Sequence, residues 1–303
     1  MSHYSISDLE KLTGIRTHTI RTWEQRYQIL TPSRKVSNIR YYTDDQLRRL
    51  MNVSVLVNSG IKISQISKMS NQEIYDTIDD IVTTPKVEGL FDHATINQLI
   101  HSGLTMDQLQ FEYSFANAIL RYGIKETYIR IIYPVMLKIG LMWGKAKMIA
   151  AQEHFISNLF RQKMLTSIDT LPLPQKNKEK WLLFLPYFES HEIGLLFAHY
   201  LIRESDRQVI YLGQNVPTDN LINIISSTEV THLLSFFVKN VSGNQYQNLL
   251  NQLEQLYPQV NILVSGNSRM LGTLELGQQT HWIKSIEELM DNHLTPTSPL
   301  NEN

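Results

Sequence analysis

From residue 181 onward, short apolar runs alternate with helical patterns, and this alternation limits the possible folds more than any other feature. The runs cover 181–186, 209–212, 232–237, 261–265 and 281–283. Helical patterns fill about 192–204, 217–227, 243–256, 270–277 and 285–292. Strand–helix alternation of this length predicts a doubly wound parallel sheet of five strands. Ligands of such sheets bind at the carboxyl ends of the strands. The loop at the first such end reads Phe188-Glu189-Ser190-His191-Glu192-Ile193-Gly194. On residues alone it is either a polar loop with Ser190 capping the next helix, or a metal site. In the second case His191 is the ligand and Glu189 fixes its tautomer. Ser235 on the third strand and Ser265-Gly266 at the end of the fourth fall on the same edge. Gly266 would let a ligand approach the backbone closely.

Residues 91–172 read as four helices, at 94–102, 105–122, 124–143 and 147–169, and predict a four-helix bundle. Leu109, Tyr113, Ala116 and Leu120 recur at helical spacing, as a core face would. Pro134 should kink the third helix or mark its restart, and Gly140 could admit a close neighbour. Trp143 and the pair Glu153-His154 stand out. Taken singly, they read as a core tryptophan and a core or interface histidine. A linker is expected at 73–90, the sheet domain at 180–293, and a disordered tail at 294–303.

The first 72 residues form a separate module. Residues 1–70 carry 11 Lys/Arg against 5 Asp/Glu, while the remainder carries 17 against 24. A basic segment on an acidic body is the electrostatic outline of a nucleic-acid-binding module. A helix over 5–12, with Ser7 and Glu10 as its capping box, stops at Gly14. A basic helix follows over 16–27, with Ile20 and Trp23 turned inward. This is the helix-turn-helix pattern, whose second helix enters the major groove. Residues 31–42 read as a two-stranded wing, and Thr43 caps a third helix. After it come only a short acidic helix and a linker, so a long dimerisation helix is not expected. Another interface must make the protein multivalent on DNA.

Hydrophobic residues make up 42% and charged residues 19% of the chain, which suits globular cores. There is no cysteine, which excludes disulfides, Cys-zinc sites and iron–sulfur clusters. No apolar run has the length of a membrane span and no signal-peptide core is seen, so a cytoplasmic location is expected.

The run YSISDLEKLTGIRTHTIRTWEQRY, followed by PSRKVSNIRYYTDDQLRRL, resembles the winged-helix DNA-binding domain of MerR-type transcription regulators. The resemblance implies that Arg16, Thr17, Thr19 and Arg21 face the groove of a double-stranded operator. Arg26, Arg34, Arg40 and Tyr41 would hold its backbone, and Tyr42 would be core. Residues 90–292 resemble the cobalamin-binding module of methionine synthase and of the B12-dependent, light-responsive MerR-type regulators. The lower-ligand motif Asp-x-His-x-x-Gly reads Glu189-Ser190-His191-Glu192-Ile193-Gly194 here. The upper-face motif Trp-x9-Glu-His is matched by Trp143, Glu153 and His154. The resemblance implies that His191 binds cobalt, Glu189 supports it, and the displaced nucleotide tail runs near Ser235 and Gly266. Trp143, Glu153 and His154 would cover an adenosyl group. Glu189 departs from the usual aspartate, and Ser265-Gly266 from the usual Gly-Gly.

The resulting expectation is a homo-oligomeric repressor, dimer or tetramer, controlled by adenosylcobalamin and light. The alternative is a regulator whose degenerate module binds another regulator protein without B12. An enzyme, such as a methyltransferase or mutase component, is not expected, since the chain has no room for a substrate barrel.

Overall fold

The computed structural model describes residues 4–34, 40–83, 89–143, 148–174, 179–241 and 244–295, with the side chains of Arg34, Asp79, 81–83 and Trp143 excepted. The expected roles of Arg34 and Trp143 therefore fall outside the described side chains, and most of the expected tail falls outside the described residues. The chain divides into two compact units, Met1–Asn158 and Leu159–Asn303.

The first unit opens with α1 (Ile6–Thr13) and α2 (Thr17–Tyr27), joined through Gly14 in the left-handed conformation at φ 75°. Its capping box is formed by Ser5 and Asp8, not by Ser7 and Glu10. The reason is that Tyr4 pairs with Tyr42 as a short antiparallel bridge, which leaves Ser5 extended as the cap. Glu10 instead accepts the Thr17 hydroxyl at 2.5 Å. The two-residue strands β1 (Ser33–Arg34) and β2 (Arg40–Tyr41) pair antiparallel, as expected of a wing. Next come α3 (Asp44–Asn58), capped by Thr43 with Gln46 in return, and α4 (Ile63–Ile66). Leu9, Ile20, Tyr42, Leu47 and Leu50 are fully buried and form the module's core.

The short acidic helix α5 (Asn71–Thr83) packs against α3 and against α6 (Leu90–Thr105). The Asn97 amide of α6 donates to the Met51 carbonyl of α3 at 3.0 Å in the interior. Helix α7 (Gln108–Thr127) is kinked at Gly123. Its buried side chains are Phe111, Ser114, Phe115, Ala118 and Thr127. Leu109, Tyr113, Ala116 and Leu120, expected in the core, lie on the opposite face. Leu109 and Leu120 are 83% and 85% exposed. Periodicity identified an apolar stripe but could not distinguish it from the equally apolar stripe of two phenylalanines beside it. A π-helical turn, Tyr128–Ile132, leads into α8 (Tyr133–Trp143). Pro134, which lacks an N–H, stands at the second residue of that restart. A Cβ at Gly140 would meet nothing within 4 Å among the described residues. Gly103 is the close approach, where a Cβ would meet Ile156 at 3.1 Å. Helix α9 (Ala150–Asp169) runs on into the second unit.

The second unit is a parallel sheet of β3 (Lys180–Pro186), β4 (Gln208–Val216), β5 (His232–Phe237), β6 (Asn261–Gly266) and β7 (Thr280–Trp282). The strand order is β4-β3-β5-β6-β7. Flanking helices are α10 (Ile193–Glu204), α11 (Thr218–Ser227), α12 (Gln245–Leu256), α13 (Ser268–Leu271) and α14 (Ile286–Leu289), followed by a π-helical turn, Met290–Leu294. Every residue of β3 except Lys180 is buried, as a central strand covered on both faces requires. Leu182, Phe184, Leu233, Phe237, Ile262 and Val264 pack with Leu249, Leu250 and Leu253 of α12. Because the order reverses after β3, the β3 and β5 loops flank the switch point of the sheet. Among the described residues, no helix is long and apolar enough to cross a membrane.

Candidate cofactor and nucleic-acid sites

Glu189 sits in the loop after β3, with no solvent exposure. One carboxylate oxygen, Oε1, accepts the backbone N–H groups of Ser190 and His191 at 2.8 and 3.0 Å. It also lies 2.5 Å from His191 Nδ1. The other oxygen accepts the N–H groups of Val238 and Lys239, at 2.9 and 2.7 Å, and the Tyr246 hydroxyl at 3.0 Å. Burial alone would raise the Glu189 carboxyl. Hydrogen bonds from His191 and from the Lys239, His191 and Val238 backbone outweigh it and hold the group at about 2. The carboxylate is thus ionised. It holds Nδ1 as the proton-bearing nitrogen, which gives Nε2 the lone pair of a ligand. The His191 side chain is 56% exposed. The added methylene of glutamate is absorbed by reaching the start of the β5–α12 loop.

Ser190 does not cap α10. The N-cap is Glu192, whose carboxylate makes no cap bond. Gly194 has its own steric reason: a Cβ there would lie 2.8 Å from the Phe236 ring. Gly266 has φ 129°, and a Cβ would collide with the Phe237 carbonyl. Ser265 turns toward the sheet edge and donates to the Ile283 carbonyl at 2.8 Å. Ser235 is buried, and its hydroxyl has no hydrogen-bond partner among the described residues. Such a buried orphan calls for a ligand or water. The half-exposed, tautomer-fixed imidazole has the chemistry of a ligand to a metal-bearing cofactor.

In the first unit, Glu153 and His154 form a pair, Oε2 to Nδ1, at 3.0 Å. The histidine is 71% exposed, so it is not the core residue that its apolar neighbours suggest. Tyr246, Val238 and Lys239 were not singled out by sequence reasoning. They lie 49 to 57 residues beyond Glu189, and no local pattern marks them.

On α2 and the residue before it, Arg16, Arg21 and Arg26 are exposed, and Thr17 and Thr19 are half-buried. The Thr17 hydroxyl is already committed to Glu10. Arg40 lies 3.7 Å from Glu24 and, with Tyr41, forms the second wing strand. Tyr42 is fully buried and bonds Glu24, which makes it core as expected.

Residues 4–73 match the MerR HTH family regulatory protein model, and residues 95–166 match the B12 binding domain. Over 257 residues the chain is 25% identical to the HTH-type transcriptional repressor CarH of Myxococcus xanthus, covering 84% of this chain and 85% of that one. It is 23% identical over 291 residues to the repressor CarA of the same organism, covering 94% of each. The monomethylamine corrinoid protein of Methanosarcina barkeri shares the fold, with a TM-score of 0.55 at 14% identity, covering 67% of this chain and 98% of that one. The chain thus joins a MerR-type helix-turn-helix domain to a B12-binding-like C-terminal module, and in that combination it matches regulators of the CarH and CarA type.

Proposed function

We propose that this DNA-binding regulator is a repressor whose oligomeric state and operator occupancy are set by adenosylcobalamin, with light as the release signal. The observation that carries the reading is the buried Glu189 carboxylate fixing the half-exposed His191 ring. In this reading the modules are a winged helix, a four-helix bundle and a flavodoxin-like sheet, whose strand order is the one found here. His191 would hold the cobalt of the cofactor. Glu189 orients its ring, and Ser235 bonds the buried tail beside Ser265 and Gly266. Trp143, Glu153 and His154 would be the residues that take the adenosyl group. Bound adenosylcobalamin supplies a cobalt–carbon bond that light can break.

Self-association is supported by the exposed stripe of Leu109, Tyr113 and Leu120, since exposed apolar runs mark interaction surfaces. Helix α5 packs within its own unit and does not extend as a dimerisation helix. Linking several DNA modules raises operator occupancy by avidity, without new base contacts. The test is to add adenosylcobalamin in the dark, follow mass and operator retardation, and then illuminate. Mass and retardation should rise together and collapse on illumination. If both ignore the cofactor, the alternative of a B12-independent module docking another regulator takes its place.

A further inference from the structure

The His191 loop is pinned on two sides, and only one of them is the Glu189 network. Glu192 is also buried, at 6% exposure. Its Oε2 accepts Arg161 Nε of α9 at 2.6 Å, and its Oε1 accepts the Tyr211 hydroxyl of β4 at 2.8 Å. The Tyr211 ring stacks on His199 of α10, with centroids 5.0 Å apart and 14° between planes. Gly213, at φ 74°, leaves room for the carboxylate, since a Cβ there would lie 3.3 Å from Oε1.

Helix capping does not explain this arrangement, because Glu192 makes no cap bond. A buried carboxylate is costly unless it is paired and fully hydrogen-bonded. Here the pairing reaches two elements other than its own. Glu189 ties the loop to the start of the β5–α12 connection, and Glu192 ties it to β4 and α9. His191 lies between the two anchors.

We propose that Glu192, Arg161 and Tyr211 are positioning residues for His191, acting as a second brace on the side opposite Glu189. The brace also ties the loop to Arg161 on α9. The role rests on reading His191 as the lower ligand, but it can be measured without the cofactor. Fixing a ligand residue before binding lowers the ordering cost of binding.

The experiment uses the full chain with its histidine ring nitrogens isotopically labelled, His191 being assigned from His191→Ala. In the cobalamin-free protein, Tyr211→Phe and Arg161→Met should shift the His191 ring-nitrogen signals toward a mixture of tautomers. The signals of His18, in the other unit, should stay in place. Both variants should also bind adenosylcobalamin about tenfold or more weakly, with a reduced cobalt–histidine spectral signature. Arg161→Lys, which keeps the charge at a half-exposed site and leaves the fold intact, should fall between. Unchanged His191 signals in Tyr211→Phe and Arg161→Lys would overturn the brace. A wild type that takes up no adenosylcobalamin would overturn the ligand reading instead, and the cofactor-free shifts would still decide the brace.

Discussion

The methyl group that Gly194 lacks would sit 2.8 Å from the ring of Phe236, across the gap between α10 and β5. The glycine two residues before the end of the first α10 turn is therefore required by packing, whatever ligand the loop serves. Gly194→Ala should destabilise the second unit by about 1–3 kcal/mol, the usual range for overpacking. Phe236→Leu in the same chain should recover most of that loss. Urea midpoints of the two variants decide the matter. Equal midpoints for Gly194→Ala and wild type would show that the ring yields freely.

His101 of α6 has a buried Nε2 with no hydrogen-bond partner among the described residues. Burial, and then the nearby Arg48 guanidinium of α3, push it from 6.5 down to about 4. In the unfolded chain it protonates near its ordinary value, while the folded chain resists protonation. Stability is therefore retained above about 6.5 and lost as the pH falls toward about 4. His101→Gln should lose less of its urea midpoint than wild type over that window. Parallel loss in both would remove His101 from the account.

The exposed Arg21 of α2 and the committed Thr17 make different predictions for DNA. Arg21→Ala should cost about 1–3 kcal/mol on the operator if the side chain reads a base, and less on random DNA. Thr17→Val should cost less than Arg21→Ala, because its hydroxyl already donates to Glu10. Fluorescence anisotropy at two salt concentrations, on operator and random duplexes, separates base reading from phosphate contact. A larger loss for Thr17→Val would reverse the assignment.

Much of this organisation is legible in residue order. Local signals such as Gly14, Thr43 and the five apolar runs placed helix ends and strands close to where they stand. They failed where two local answers compete. Ser5 and Ser7 can both open a capping box, and the distant Tyr4–Tyr42 pairing decides between them. Phe111 and Phe115 compete with Leu109 and Tyr113 for the core face of α7, and neighbouring helices decide. At the candidate site, His191 and Glu189 are visible as neighbours in the chain. Their supports Tyr246, Tyr211 and Arg161 are brought in by the fold.

The central claim is that Glu189 presents His191 to cobalt. Its most direct measurement is the absorption spectrum of the full chain after loading with adenosylcobalamin in the dark and desalting. Wild type should stay red with a cobalt–histidine signature, and His191→Ala should lose that signature. A colourless wild type, or a signature that survives His191→Ala, would contradict it.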